Sequence, residues 1–245
     1  MRIAGCLLAF ILCTGAPAEA GIRATYTVAG EPDPVVVEID DSGVARLGTA
    51  DESMYFLVIG RSAYVVGRNV DDPNDDRSFA VLGDDLVAAI RRTGTRIPIE
   101  DPALATGAPL PPTLGLTDLG SATVAGVSGH RFRINGANFG GAPAILAVAD
   151  DPALQRGGES MGIAIKAIML PMLSLTEGNG PKLTGWIQQM LPYLDRGLPL
   201  AFGDEFVLRE LKRDVVIPPG RTKLPSVMVK GAELDRLIAD RFKED

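Results

Sequence analysis

The residues from which most metal and thiol chemistry is built are nearly missing: the chain has one histidine and two cysteines in 245 residues. Zinc fingers, iron–sulfur clusters and most transition-metal centres need more nitrogen and sulfur ligands than that. Positive charge is short as well, with 24 Lys+Arg against 31 Asp+Glu and a net charge of −7. A pI near 4.9 argues against nucleic acid or an anionic membrane surface as the main partner, because both require a concentrated basic field. Aromatic residues make up only 5% of the chain, with a single Trp, so there is little material for stacking sugars. The phosphate-cradling pattern G-x-x-x-x-G-K-[ST] does not occur. What remains is 46% hydrophobic residues with 22% charged ones, the composition of a globular domain.

The N-terminus carries Arg2, then an apolar run over residues 3–13, then Ala18-Glu19-Ala20. That order is the one a signal peptide has, with small residues at −3 and −1 of the cleavage point. The run is too short for a bilayer, which takes ~20 apolar residues. Residues 1–20 are therefore expected to be a cleaved signal peptide, and 21–245 a single domain that is periplasmic or secreted. Lipidation is not expected: Cys6 precedes the apolar run, and Cys13 follows Leu12 where a lipobox wants Gly or Ala. Both cysteines leave with the leader, so the exported domain has no thiol. The most apolar later stretch, 161–175, is interrupted by Lys166 and Pro171, and nothing is expected to span a membrane.

Residues 23–29, 34–39, 44–47, 54–59 and 63–67 are short β-branched or aromatic runs separated by turn residues such as Gly30, Gly43 and Gly60. Links this short permit only antiparallel neighbours. A short strand follows, then a helix capped by Asp84 or Asp85 and ending before Gly94. Residues 98–113, rich in Pro and Ala, read as a long surface loop. Strands resume at 121–125, 130–134 and 144–149. Met161, Ile165, Ile168, Met169 and Met172 then fall on one face of a 3.6-residue period. Leu183, Trp186, Ile187, Met190, Leu191 and Leu194 do the same, with Pro181 suited to a first helical turn. Strands at 198–202, 206–212 and 214–217 and a helix at 232–242 complete the chain. Thr-Val-Ala-Gly occurs at 27–30 and 123–126, and Asp-Pro-Ala-Leu at 101–104 and 151–154. No single period relates the pairs, so they are local turn chemistry and not a repeat. The whole reads as one α+β domain.

The motifs that suggest chemistry each have a plainer reading. Gly158-Glu159-Ser160-Met161-Gly162 is a literal G-x-S-x-G, but no strand leads directly into it. The only histidine, His130, comes before it in the chain, whereas that hydrolase fold needs its base after the serine. Ser160 reads as a helix N-terminal residue. His130 sits on a strand with Phe132 and Ile134 on its own face and no orienting partner in sequence, so it reads as structural. Asp71-Asp72-Pro73-Asn74-Asp75-Asp76 offers calcium oxygen ligands but lacks the EF-hand glycine and glutamate, and reads as a solvated acidic loop. Met161, Met169, Met172 and Met190 suggest copper(I) thioether ligation. On apolar helix faces without His or Cys, however, they read as core or as a pliable cavity lining. No catalytic residue, metal or cofactor is expected.

One order of short motifs carries a resemblance. Leu119-Gly120-Ser121-Ala122-Thr123-Val124-Ala125-Gly126 precedes His130-Arg131-Phe132-Arg133-Ile134. Ala147-Val148-Ala149-Asp150-Asp151-Pro152 precedes helices, and Arg196-Gly197-Leu198-Pro199-Leu200 opens the closing strands. This order resembles periplasmic proteins that share the outer-membrane lipoprotein carrier (LolA-like) fold. It departs from them at Val127, Ser128 and Gly129, where many relatives have a cysteine. The resemblance implies a curved, incompletely closed antiparallel sheet, a half-barrel, with helices covering its concave face. In the carriers that hollow holds acyl chains. On this reading the chain is a non-catalytic binding or carrier protein for a hydrophobic, lipid-like or acyl ligand. Ile165, Met169, Met172, Trp186, Ile187 and Met190 are its expected contacts. The alternative is an envelope interaction module, partnered by another envelope protein, whose hollow is filled by its own side chains.

Overall fold

The computed structural model describes residues 20–49, 53–68, 78–95, 115–139, 142–175 and 180–241. Six short strands come first: β1 (Ala20–Val28), β2 (Val35–Ile39), β3 (Ala45–Thr49), β4 (Met54–Ile59), β5 (Ser62–Arg68) and β6 (Ser78–Leu82). Each pairs antiparallel with the next, as the short links require. Helix α1 (Gly83–Thr93) follows β6 directly and ends on Gly94, whose left-handed backbone (φ 67) stops it. A second meander comprises β7 (Gly115–Val124), β8 (Val127–Phe139) and β9 (Ala142–Ala149).

A 3-10 turn (Pro152–Leu154) leads into helix α2 (Gln155–Ala164), a π turn (Ile165–Met169) and α3 (Leu170–Ser174). Then come α4 (Gly180–Leu194), β10 (Pro199–Phe202), the long β11 (Phe206–Val216), β12 (Val227–Met228) and α5 (Gly231–Arg241). Strand β11 pairs with β1 on one side and β10 on the other, joining the two meanders into one sheet. Among the described residues that sheet has twelve strands in the order β12-β6-β5-β4-β3-β2-β1-β11-β10-β9-β8-β7. All pairs are antiparallel except β12 with β6. The two ends do not meet, so the architecture is α+β with an open, half-barrel sheet.

Alternation along the strands sends one set of side chains to each face. On the inner face Tyr26, Val37, Ile39, Leu47 and Val58 pack with Leu154, Ala164 and Ile168 from the helical side. Helices α1 and α5 lie together beyond β6, burying Val81, Ala89, Ile90, Leu234 and Ile238. The outer face of β4–β6 is also covered, with Leu224 packed on Leu57, Val66 and Ala80. Helix α2 approaches its neighbours closely because it is glycine-rich: a Cβ on Gly158 would run into the backbone oxygens of Leu194 and Gly197.

Several expectations change. Asp84 and Asp85 lie inside the first turn of α1; its N-cap is Leu82, without a side-chain bond. The carboxylates act there on the positive end of the helix dipole. Ser160 is buried well inside α2, and the helical segment is capped earlier, by the Asp151 carboxylate accepting from Ala153 N at 2.8 Å. Strands expected at 206–212 and 214–217 are one strand, which passes through Asp214 with φ 55. Strand β7 begins six residues before the expected 121–125 and ends one residue short of it, β8 extends past 130–134 at both ends, and the two-residue β12 has no signature in sequence. Apart from Ala20, the expected leader lies outside the described residues. So do the acidic loop 71–76 and the loop 98–113.

Candidate ligand-binding surface

The helical cover is shaped by Pro171. Proline has no N–H to give the carbonyl four residues back, and its ring crowds that carbonyl. The chain accommodates this with the π turn, in which Leu170 N–H reaches Ile165 O, and Pro171 takes an opening position of α3. A π turn holds one residue more than an α turn, so Leu170, not Met169, comes to lie with Ile165. Leu170 is buried against Leu191 and Leu194 of α4, with Ile165 and Ile187 packed half-buried beside them. Met169 is turned outward and is 39% exposed.

The expected contact residues therefore do not form one stripe. Ile165 of the π turn and Ile187 of α4 pack on the same Leu170–Leu191–Leu194 cluster. Met190 faces the sheet instead, against Ile134, Ala144, Leu146 and Val148. Beside it Tyr193 meets Phe132 edge-on at 4.8 Å between ring centroids, and Arg196 sits over the Tyr193 ring at 4.9 Å. Met172 lies on the other side of α3, touching both the main core and the α1–α5 cluster. The backbone of Trp186 belongs to α4, but its side chain lies outside the described residues. None of the five described residues is fully buried, whereas the sheet positions under Met190 are 0–3% exposed.

Two polar constellations were not legible beforehand. His130 Nε2 lies 3.2 Å from Asp118 Oδ1, and its Nδ1 lies 3.8 Å from Asp150 Oδ1. All three side chains are more than a third exposed. His130 pairs with Ser121 across the hairpin, and a bulge between Asp118 and Gly120 brings Asp118 onto the same side. That one-residue shift hides the pair from a reading of alternation alone. The second constellation is on the outer face of β1–β3, where Glu38 is fully buried. Its Oε1 accepts from Arg23 Nε at 2.9 Å and Nη2 at 2.6 Å, and its Oε2 accepts from Arg221 Nε at 2.7 Å. Arg46 Nη1 stands 3.6 Å from the same Oε2, and its guanidinium lies over Tyr55.

Near the tight β7–β8 turn, where Ala125 (φ 49) and Gly126 (φ 78) are both left-handed, there is an open depression of about 510 Å³. It is lined by Ser128, Asp150, Asp151, Leu211 and Arg213 among others, and touches none of the five described contact residues. Arg213 Nη2 donates to Asp151 Oδ2 at 2.6 Å. The Ala153 N–H first, and Arg213 second, hold the Asp151 carboxyl below the usual carboxylate range. Among the described residues no three His, Cys, Asp or Glu are grouped to hold a metal, and no buried side-chain nitrogen or oxygen lacks a partner. No helix among them is long and apolar enough to cross a membrane. A comparison with protein-family models finds no match, and a comparison with curated proteins finds none either.

Proposed function

We propose that this chain is an exported, non-catalytic binding or carrier protein for a hydrophobic ligand, with an acyl chain as the best-fitting class. The observation that carries the reading is the unequal burial of cover and sheet. Ile165, Met172, Ile187 and Met190 are half-buried and Met169 is exposed, above a sheet face whose own residues are fully buried. Apolar surface is thus left over on the helices around the π turn, and methionine and isoleucine there accept varied shapes. Each buried methylene contributes ~0.8 kcal/mol, so an acyl chain of about a dozen carbons has ample affinity before entropic losses. The open half-barrel and the order of short motifs support a LolA-like relationship.

A second reading rests on the centre of the inner face, where Leu154, Ala164 and Ile168 are buried against the sheet. This is the envelope interaction module with a self-filled core. Native mass spectrometry with solvent extraction of the protein purified from its own compartment separates the two. A co-purifying lipid or acyl species, lost on denaturation, supports the carrier; a clean apo mass favours the module.

A further inference from the structure

We infer that residues 217–241 form a separable clasp around the β6 edge of the sheet, and that opening this clasp admits ligand beneath α3. The inference rests on the proposed ligand reading for its second half only.

After β11, Ile217 is buried and Arg221 reaches Glu38 on the outer face. Leu224 then packs on Leu57, Val66 and Ala80. Strand β12 lies parallel on β6, with Val229 N–H donating to Ala80 O at 3.0 Å. Helix α5 finally lies on the helical side against α1, held by Leu234, Ile238 and the Arg92–Asp235 ion pair. One segment therefore touches the outer face, the edge and the inner layer in turn.

Its fastenings are of a kind that can be undone. Breaking a buried ion pair is costly when it strands a charge, but Glu38 keeps both hydrogen bonds from Arg23, and Arg46 nearby, when Arg221 leaves. Strand β12 is two residues long. The Arg92–Asp235 pair is half exposed on its arginine side, and pairs of that kind are worth little. The segment also buries Ile217, Val229, Leu234 and Ile238, so it opens as one unit, and a unit at the sheet edge opens at lower free energy than the central strands. The clasp is also coupled to the cover, since Met172 and Leu175 pack on the α1–α5 cluster that α5 completes. Removing α5 takes away one wall of the site in which α3 is seated.

Hydrogen exchange read by mass spectrometry tests the first half on the full chain. The wild type should exchange residues 227–241 as one unit, faster than β2–β5. In Arg221→Ala, which removes the charge-assisted bond to Glu38, that unit and α3 should exchange at least about tenfold faster, with β2–β5 unchanged. A uniform rise across the sheet, or no change in 227–241, overturns the clasp. For the second half, Arg92→Cys/Asp235→Cys joined by a short bis-maleimide pins α5 to α1. Uptake of dansyl-undecanoic acid should slow at least tenfold against the unjoined variant, with the final affinity preserved. Uptake at the same rate in both overturns the gating role while leaving the ligand site intact. No uptake by wild type overturns the ligand reading and the gating role with it, and the exchange result then decides the clasp alone.

Discussion

The Tyr26 hydroxyl donates to the carbonyl oxygen of Pro199 at 2.9 Å, tying β1 to β10 beneath the strand that separates them. The Tyr26 ring is fully buried and stacks on Phe206 of β11 at 4.2 Å. One side chain thus links the strands at which the two meanders join. Tyr26→Phe keeps the ring and should cost about 1 kcal/mol, the net worth of one buried hydrogen bond. Burial also pushes the phenol far above its ordinary value of 10.0. The neutral form is the one that folds, so this contribution is complete below pH 10 and declines as the pH rises beyond it. Urea midpoints measured from pH 8 to 11 should fall more steeply in wild type than in Tyr26→Phe.

The outer-face cluster predicts an unequal pair of variants. Glu38→Ala removes the carboxylate around which Arg23, Arg46 and Arg221 gather, and Arg46 is itself almost fully buried. A cost of about 3–5 kcal/mol is expected. Arg221→Ala leaves the carboxylate bonded to Arg23 and should cost about 1.5 kcal/mol or less. Equal losses by urea denaturation would show that Arg221, not Arg23, is the essential partner.

Much of this architecture could be read from the chain, and the exceptions have physical causes. The first five strands were legible because each is a β-branched run ended by a turn residue, and β4 was placed to the residue. The recurring Val-Ala-Gly proves to be turn chemistry twice over, with Gly30 and Gly126 both left-handed. What escaped were one-residue changes of register. The bulge beside Asp118 and the π turn before Pro171 each shift the side chains that follow. Pro171 was visible as an interruption, but not the turn that absorbs it, so the stripe through Ile165 and Met169 looked continuous. Asp118 was hidden as a partner of His130 for the same reason, and the partners of Glu38 because Arg221 lies 183 residues away.

The glycines of the apparent G-x-S-x-G motif make a packing prediction. A Cβ on Gly158 meets two backbone oxygens, which cannot swing aside as a side-chain tip can. Gly158→Ala should therefore cost about 3 kcal/mol or more. Gly185 lies inside α4, and among the described residues nothing comes within 4 Å of its missing Cβ. There the same substitution should stabilise the protein by about 0.5–1 kcal/mol through helix propensity. Thermal midpoints moving in opposite directions would bear this out; a neutral Gly158→Ala would show that the α2–α4 contact is loose.

The cap at the start of the helical segment should be sensitive to acid. Asp151 is held below the usual carboxylate range by Ala153 N–H and by Arg213. Its contribution is therefore present above the ordinary carboxylate value and is lost as the pH falls through its lowered value. Because the side chain is a third exposed, solvent screening reduces the Arg213 part. Asp151→Ala should cost about 1 kcal/mol at pH 7, as for a lost cap, and the gap to wild type should narrow below about pH 4. A gap independent of pH would assign the effect to packing and not to the charge.

The cover supplies the prediction closest to function, and it turns on two methionines that looked equivalent in sequence. Met169 is partly exposed, whereas Met190 packs between α4 and a fully buried stretch of sheet. Met169→Asp should leave stability within about 0.5 kcal/mol yet weaken dansyl-undecanoic acid binding about tenfold or more, because a carboxylate at an apolar contact is costly to desolvate. Met190→Asp places the same charge against Ile134, Leu146 and Val148 and should lower stability by several kcal/mol. Fluorescence titration and urea melts on the two variants separate the outcomes. A stable Met169→Asp with full affinity would remove the π turn from the ligand site, and a stable Met190→Asp would mean that the α4–sheet contact can itself open.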